Sequence, residues 1–206
     1  QISKISIPSV LQQSFVSVGN VFIQGEINSY GSAVIAGYSA AIKLNTFAVN
    51  SLVTFGNSVS SFTAQNVGAK KFERIKEGMK SGAVLSIITA LMFTFVYVVF
   101  SENLIGFFME GDKSTLALTT GKQFLIIVEP FLCAIGFKVV CDGVLRGTGN
   151  MNYFMTATFA DLVLRVILAF IFSHFFGAIG IWMSWSIGCL LAVALSFTFY
   201  RIVVKG

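Results

Sequence analysis

Residues 64–82 read AQNVGAKKFERIKEGMKSG and place five of the chain's 14 Lys and Arg residues between Lys70 and Lys80. On both sides of this run the chain goes twenty or more residues with hardly any charge. The basic run is therefore an interruption in something very apolar. The whole sequence has that character: 55% of its residues are hydrophobic, 11% are charged and the mean hydropathy is +0.83. A soluble domain carries roughly 25% charged residues, so this composition defines an integral membrane protein. The net charge of +5 does not point to nucleic acid, because the cations form one cluster plus isolated residues inside apolar runs. Cys133, Cys141 and Cys189 lie in apolar segments without metal-ligand spacing and read as small hydrophobes in a bundle.

A helix needs about 20 apolar residues to cross a hydrocarbon core about 30 Å thick. On that measure the sequence predicts an all-α fold of six spans, approximately 5–27, 33–66, 79–100, 115–147, 151–175 and 178–203. The chain opens on Gln1 and enters an apolar run without a cleavable signal pattern, so it reads as a piece of a longer protein.

Lys and Arg collect in cytoplasmic loops. The 70–80 run, Arg146 and the ending YRIVVKG (200–206) are therefore expected inside. The connections at 28–32, 101–114 and 174–178 are expected outside, and an even number of spans puts both termini inside. The basic run is thus the topological anchor between the second and third spans. Trp182 and Trp185 near one end of the last span, with Tyr200 and Arg201 at the other, are expected to anchor it at the two interfaces.

Two spans carry polar stripes. Gln13, Ser17, Asn20 and Gln24 recur on one face of the first, and Ser39, Lys43, Thr46, Asn50, Thr54, Asn57 and Ser61 on one face of the second. Polar groups facing lipid are costly, so the stripes are expected either to bond neighbouring helices or to line a water-filled cavity. Ionisable residues inside spans are sharper signals. Lys122 and Glu129 share a face just before Pro130, Lys138, Asp142 and Arg146 follow at helical spacing, and Asp161 and Arg165 form an i, i+4 pair. The reading takes Gln13, Ser17, Asn20, Lys43, Asn50, Glu129, Lys138 and Asp142 as candidate pathway residues, with packing salt bridges as the alternative. It takes Asp161 with Arg165 as a structural pair. Nothing resembles a catalytic constellation or a phosphate-cradling loop, so no enzyme and no organic cofactor is expected.

TAQNVGAKK (63–71), LRGTGN (145–150) and DLVLR (161–165) together resemble the second half of the MATE family, the multidrug and toxic compound extrusion transporters. The similarity runs over essentially the whole chain, as spans seven to twelve of twelve. It implies one six-helix lobe (residues 1–206) whose partner, an N-terminal lobe, is absent. It also implies export of drug-like or organic cationic compounds in exchange for Na⁺ or H⁺ by alternating access, in a prokaryotic plasma membrane, with contacts to small-molecule substrate and lipid and none to nucleic acid.

The motif residues the resemblance assigns are Gln65, Asn66, Gly68 and Ala69 at the end of the second span, where the glycine is expected to permit a tight exit into a surface-lying basic connection, and Leu145, Arg146 and Gly147 after the fourth. Relatives with a cation site in this lobe have a Glu in the seventh span and an Asp ten residues before LRG. Here the first span has no acid before Glu26, and Ile135 stands at the second position. Glu129, nearly two turns further out, is then a displaced substitute, and the essential carboxylate belongs to the first lobe. Two other readings stay open: a lipid or polysaccharide-precursor flippase of related fold, and a non-transporting scaffold or intramembrane enzyme.

Overall fold

The structure, a computed structural model, describes residues 2–109 and 114–205, with side chains from Ser14 to Val204. Long apolar runs interrupted only by Pro8 and Pro130 leave the backbone no partner but itself in a membrane, and the chain answers with helices. They are α1 (Ile2–Asn28), α2 (Ser32–Gly68), α3 (Glu73–Val99), α4 (Ser101–Phe108), α5 (Thr115–Val128), α6 (Leu132–Gly147), α7 (Met151–Phe176) and α8 (Ala178–Lys205), with a single 3₁₀ turn at Glu129–Phe131 between α5 and α6. Among the described residues there is no strand, and the expected all-α membrane fold is what is found.

Among the described residues, five stretches are long and apolar enough to cross a membrane: α2, α3, α5 through α6 taken together, α7 and α8. The expected span at 5–27 is helical as α1, and the side chains of its first half lie outside the described residues.

α2 is the spine of the bundle. It packs along α5 and α6, α3 lies on α6, α7 pairs with α8, α8 closes on α6, and α1 lies against α7. Close approach along α2 depends on glycine. A Cβ on Gly37 would fall 2.1 Å from the Ala117 carbonyl oxygen, and one on Gly143 would fall 2.4 Å from that of Gly56. Small residues at such crossings are how membrane helices gain packing energy when lipid is as apolar as their own side chains.

The core places Tyr38 flat against Trp182, ring centroids 5.2 Å apart, with Phe124 edge-on to both. Trp182 is fully buried and Trp185 is half-buried beside it. The expectation that these two tryptophans anchor α8 at an interface is therefore overturned. Their ring area is used inside the bundle, where Phe124 meets Trp185 as well.

Two helix exits share one geometry. At the end of α2, Lys71 N–H donates to the Asn66 carbonyl and Lys70 N–H to that of Val67, with Lys70 at φ +56°. At the end of α6, Asn150 N–H donates to Leu145 and Gly149 N–H to Arg146, with Gly149 at φ +78°. Both are the paired 6→1 and 5→2 closure that satisfies the last carbonyls of a helix. The residue that turns the chain out of α2 is thus Lys70, not Gly68, which stays helical. The basic run is also not a separate surface-lying connection, because α3 starts at Glu73. Its second half forms the first two turns of α3, with Ile75 and Met79 buried and Lys76 and Lys80 exposed.

Candidate functional site

Pro130 removes one backbone donor and its ring crowds the carbonyl four residues back, which is why the fourth span breaks into α5, a 3₁₀ turn and α6. Neighbouring hydroxyls satisfy the disturbed backbone. Thr94 of α3 donates to the Glu129 carbonyl at 2.8 Å, and Ser186 of α8 to that of Ile127 at 3.2 Å. Glu129 itself is fully buried. Its Oε1 accepts from Asn45 Nδ2 of α2 at 3.1 Å, while its Oε2 has no partner among the described residues. Tyr97 fixes the same region by donating its hydroxyl to the Leu44 carbonyl at 3.1 Å.

Lys122 does not neutralise Glu129, contrary to what their shared helical face suggests. It pairs instead with Glu102 on α4. The 3₁₀ turn tightens the helix just where the shared face would have continued, and α4 supplies a carboxylate closer to the membrane surface. That pair holds the exposed Glu102 carboxyl below its usual range, first through the hydrogen bond and then through the charge of Lys122.

Below the break, α1, α2, α6, α7 and α8 surround a cavity of about 470 Å³, a size typical of small-molecule sites. Asn20 and Gln24 of α1, Asn45, Thr46 and Asn50 of α2, Lys138 of α6, Asp161 and Arg165 of α7, and Trp185 and Cys189 of α8 line it together with Tyr38 and several aliphatic residues. Lys138 Nζ lies 2.8 Å from Asp142 Oδ2, and the other oxygen of Asp142 accepts from Ser196 at 2.7 Å. Asp161 Oδ2 lies 2.9 Å from Arg165, whose guanidinium sits 5.0 Å from the Trp185 ring centre.

The structure thus brings Asn20, Asn50, Lys138, Asp161 and Arg165 to one wall. Glu129 and Asp142 stand behind that wall, in contact with it through Asn45 and Lys138. Ser17 and Lys43 are exposed and lie off the described lining, and Gln13 lies outside the described side chains. Of the α2 stripe, Thr54 and Asn57 also lie off the wall on the exposed face, and Thr54 turns its hydroxyl to the Ser51 carbonyl of its own helix.

The motif residues lie off the described lining of the cavity, at the ends of α2 and α6. Asn66 is buried and donates to the Phe62 carbonyl, Leu145 is fully buried, Arg146 stacks over Phe154, and Gly147 sits against the Ser60 carbonyl. Gln65 and Ala69 are exposed.

Sequence reasoning missed Asn45, Thr94, Ser186 and Ser196. Asn45 lies between Lys43 and Thr46 but on the opposite side of the helix from the stripe, among Ala41, Leu44 and Ala48. A lone amide on an apolar helical face was the available signal. The three hydroxyls had none, because what each satisfies is created by a partner helix.

An all-helical bundle with five membrane-length stretches among the described residues and a polar, ion-paired cavity defines a class, that of polytopic membrane proteins with a polar cavity between their helices. Within that class the chain belongs to the MatE family, whose sequence model matches residues 8–171. Among similar proteins, the probable multidrug resistance protein YpnP of Bacillus subtilis is 27% identical over 97% of this chain and 44% of its own length. The probable multidrug resistance protein YoeA of the same organism is 23% identical over 98% and 44%. The chain spans about half the length of these relatives.

A solved structure described as the outward-facing conformation of a multidrug resistance MATE family transporter of the MOP superfamily superposes with a TM-score of 0.91 at 19% identity, covering 99% of this chain and 46% of the other. The Vibrio cholerae MATE transporter VcmN in its bent form gives 0.89 at 19% identity, covering 98% and 46%. At these identities the likeness speaks for the fold.

Proposed function

We propose that the chain is one lobe of an antiporter that exports drug-like or organic cationic compounds in exchange for Na⁺ or H⁺ by alternating access. Its missing partner is an N-terminal lobe of the same transporter, set in a prokaryotic plasma membrane with both ends of this segment cytoplasmic. The observation that carries the reading is the cavity bordered by α1 and α2, with Asn20, Thr46 and Asn50 exposed at its rim. In a membrane such a rim needs a facing polar surface or water, and a second lobe supplies both. Repeated lobes with substrate handled between them are a common transporter plan.

The family membership and the names of its relatives support export of drug-like compounds as the activity. The test is efflux from vesicles containing the full-length protein. A sodium or proton gradient should drive accumulation of a cationic dye against its own gradient, and transport that ignores both gradients would overturn the reading.

A further inference from the structure

We propose that the chain holds a site for an anionic phospholipid at the end of the bundle assigned above to the cytoplasm. A pocket of about 430 Å³ lies between the end of α2, the start of α3, the turn from α6 to α7 and the last turns of α8. It shares no described lining residue with the central cavity. Val67, Phe72, Ile75, Val203 and Val204 give it apolar walls, and Glu73 and Lys76 add one charge of each sign. Phe72 is 58% exposed, a large apolar ring left uncovered where the helices end.

The charge around the pocket is not balanced. Between Lys70 and Lys80 five cations stand against Glu73 and Glu77, and Arg201 and Lys205 follow at the end of α8 with no acid anywhere after Asp161. Lys76 does pair with Glu73, but at 3.5 Å and with side chains 54% and 89% exposed. An exposed pair of that kind is weak and is readily exchanged for another partner. Lys70, Lys71 and Lys80 are exposed and form no ion pair among the described residues. Clusters of about four to eight Lys and Arg beside a membrane helix attract anionic headgroups. Hydrocarbon from the bilayer can meet Phe72 and the valines while the phosphate of the same molecule stays level with Lys76, whose long stem reaches the surface. A soluble phosphate ester would use the charge and leave the apolar walls wet. A zwitterionic lipid would use the walls and gain little from the charge.

The test is native mass spectrometry of the purified full-length protein in detergent, with dioctanoyl phosphatidylglycerol, dioctanoyl phosphatidylcholine and glycerol 3-phosphate as probes. Phosphatidylglycerol should be retained over phosphatidylcholine, the preference should fade as salt is raised, and glycerol 3-phosphate should not displace it. Lys76→Gln should weaken retention of phosphatidylglycerol about fivefold and Glu73→Gln should strengthen it by a similar factor, the scale of one charge at a membrane surface. Both side chains are exposed, so both variants should keep the parent's thermal midpoint and its retention of phosphatidylcholine. Phe72→Ala should weaken both lipids. Equal retention of the two lipids, displacement by glycerol 3-phosphate, charge variants that shift both lipids alike, or Phe72→Ala without effect would each overturn the proposal. So would no retention at all, the result expected if another part of the full-length protein covers the pocket. Retention needs no ion gradient, so failure of the efflux assay and failure of this one are separate results.

Discussion

Gly143 and Gly68 make opposite demands on the same residue type. A Cβ on Gly143 would fall 2.4 Å from the Gly56 carbonyl oxygen, backbone that cannot swing aside, whereas nothing lies within 4 Å of one on Gly68. Gly143→Ala should therefore destabilise by about 1–3 kcal/mol through forced separation of α2 and α6. Gly68→Ala should be neutral or stabilising, since it removes backbone freedom from the unfolded chain at a helical position. Thermal midpoints in detergent would compare them, and a loss for Gly68→Ala as large as for Gly143→Ala would contradict the assignment of the exit to Lys70. At that exit Lys70 adopts a conformation that costs a side-chain-bearing residue roughly 1–2 kcal/mol, so Lys70→Gly should raise the midpoint. Scanning the sequence for the glycine in AQNVGA picks the wrong position because the turn is set by where the last carbonyls find donors, and that register is invisible before the helix end is built.

The pair Asp161 and Arg165 lies within one helix, yet its consequence is between helices. Its side chains are 11% and 21% exposed, and Gly188 of α8 packs against both residues. Removing one partner strands a charge in a poorly solvated place, whereas removing both does not. Asp161→Asn or Arg165→Gln should therefore lower the yield of folded protein more than the double variant does. If the double variant is no better than the worse single one, the pair is not what holds α7 to α8.

This pair, and Lys138 with Asp142, were legible in the sequence because i, i+4 spacing sets the geometry within a single helix. Five of the six expected spans were legible for a like reason, hydropathy being a local property. Contacts between helices were not. The partner of Lys122 is Glu102, twenty residues away on a separate helix, and the partner of Glu129 is Asn45, 84 residues away. Periodicity ranks the faces of a helix without saying which neighbour each face meets. The same gap explains Trp182, whose place near a span end suggested an interface although Tyr38 and Phe124 enclose it.

For the whole molecule, the proposed exchange ties sidedness to coupling, since an exchanger must present its site to each face in turn. Sidedness follows from the five cations between Lys70 and Lys80. In a cysteine-free background, single cysteines at Ser81 and Asn103, both exposed, should label from outside only at the second position. Coupling requires a group that holds a cation or proton better in one conformation than in the other, because only differential affinity shifts the balance between inward-open and outward-open states. Glu129 has the features of such a group: full burial, a helix break beside it and one oxygen without a partner among the described residues. Lys122, the cation that shares its helical face, is drawn off to Glu102.

Yet Glu129 stands off the cavity wall, and Asn45 can bond the oxygen of a Gln in its place much as it bonds the carboxylate. Glu129→Gln in the full-length transporter should therefore keep its fold and its substrate binding and weaken gradient-driven efflux only in part, with the indispensable acid in the other lobe. Vesicle efflux measured with and without an imposed gradient decides the matter. Complete loss of coupling in Glu129→Gln, at normal expression and binding, would move the essential carboxylate into this lobe.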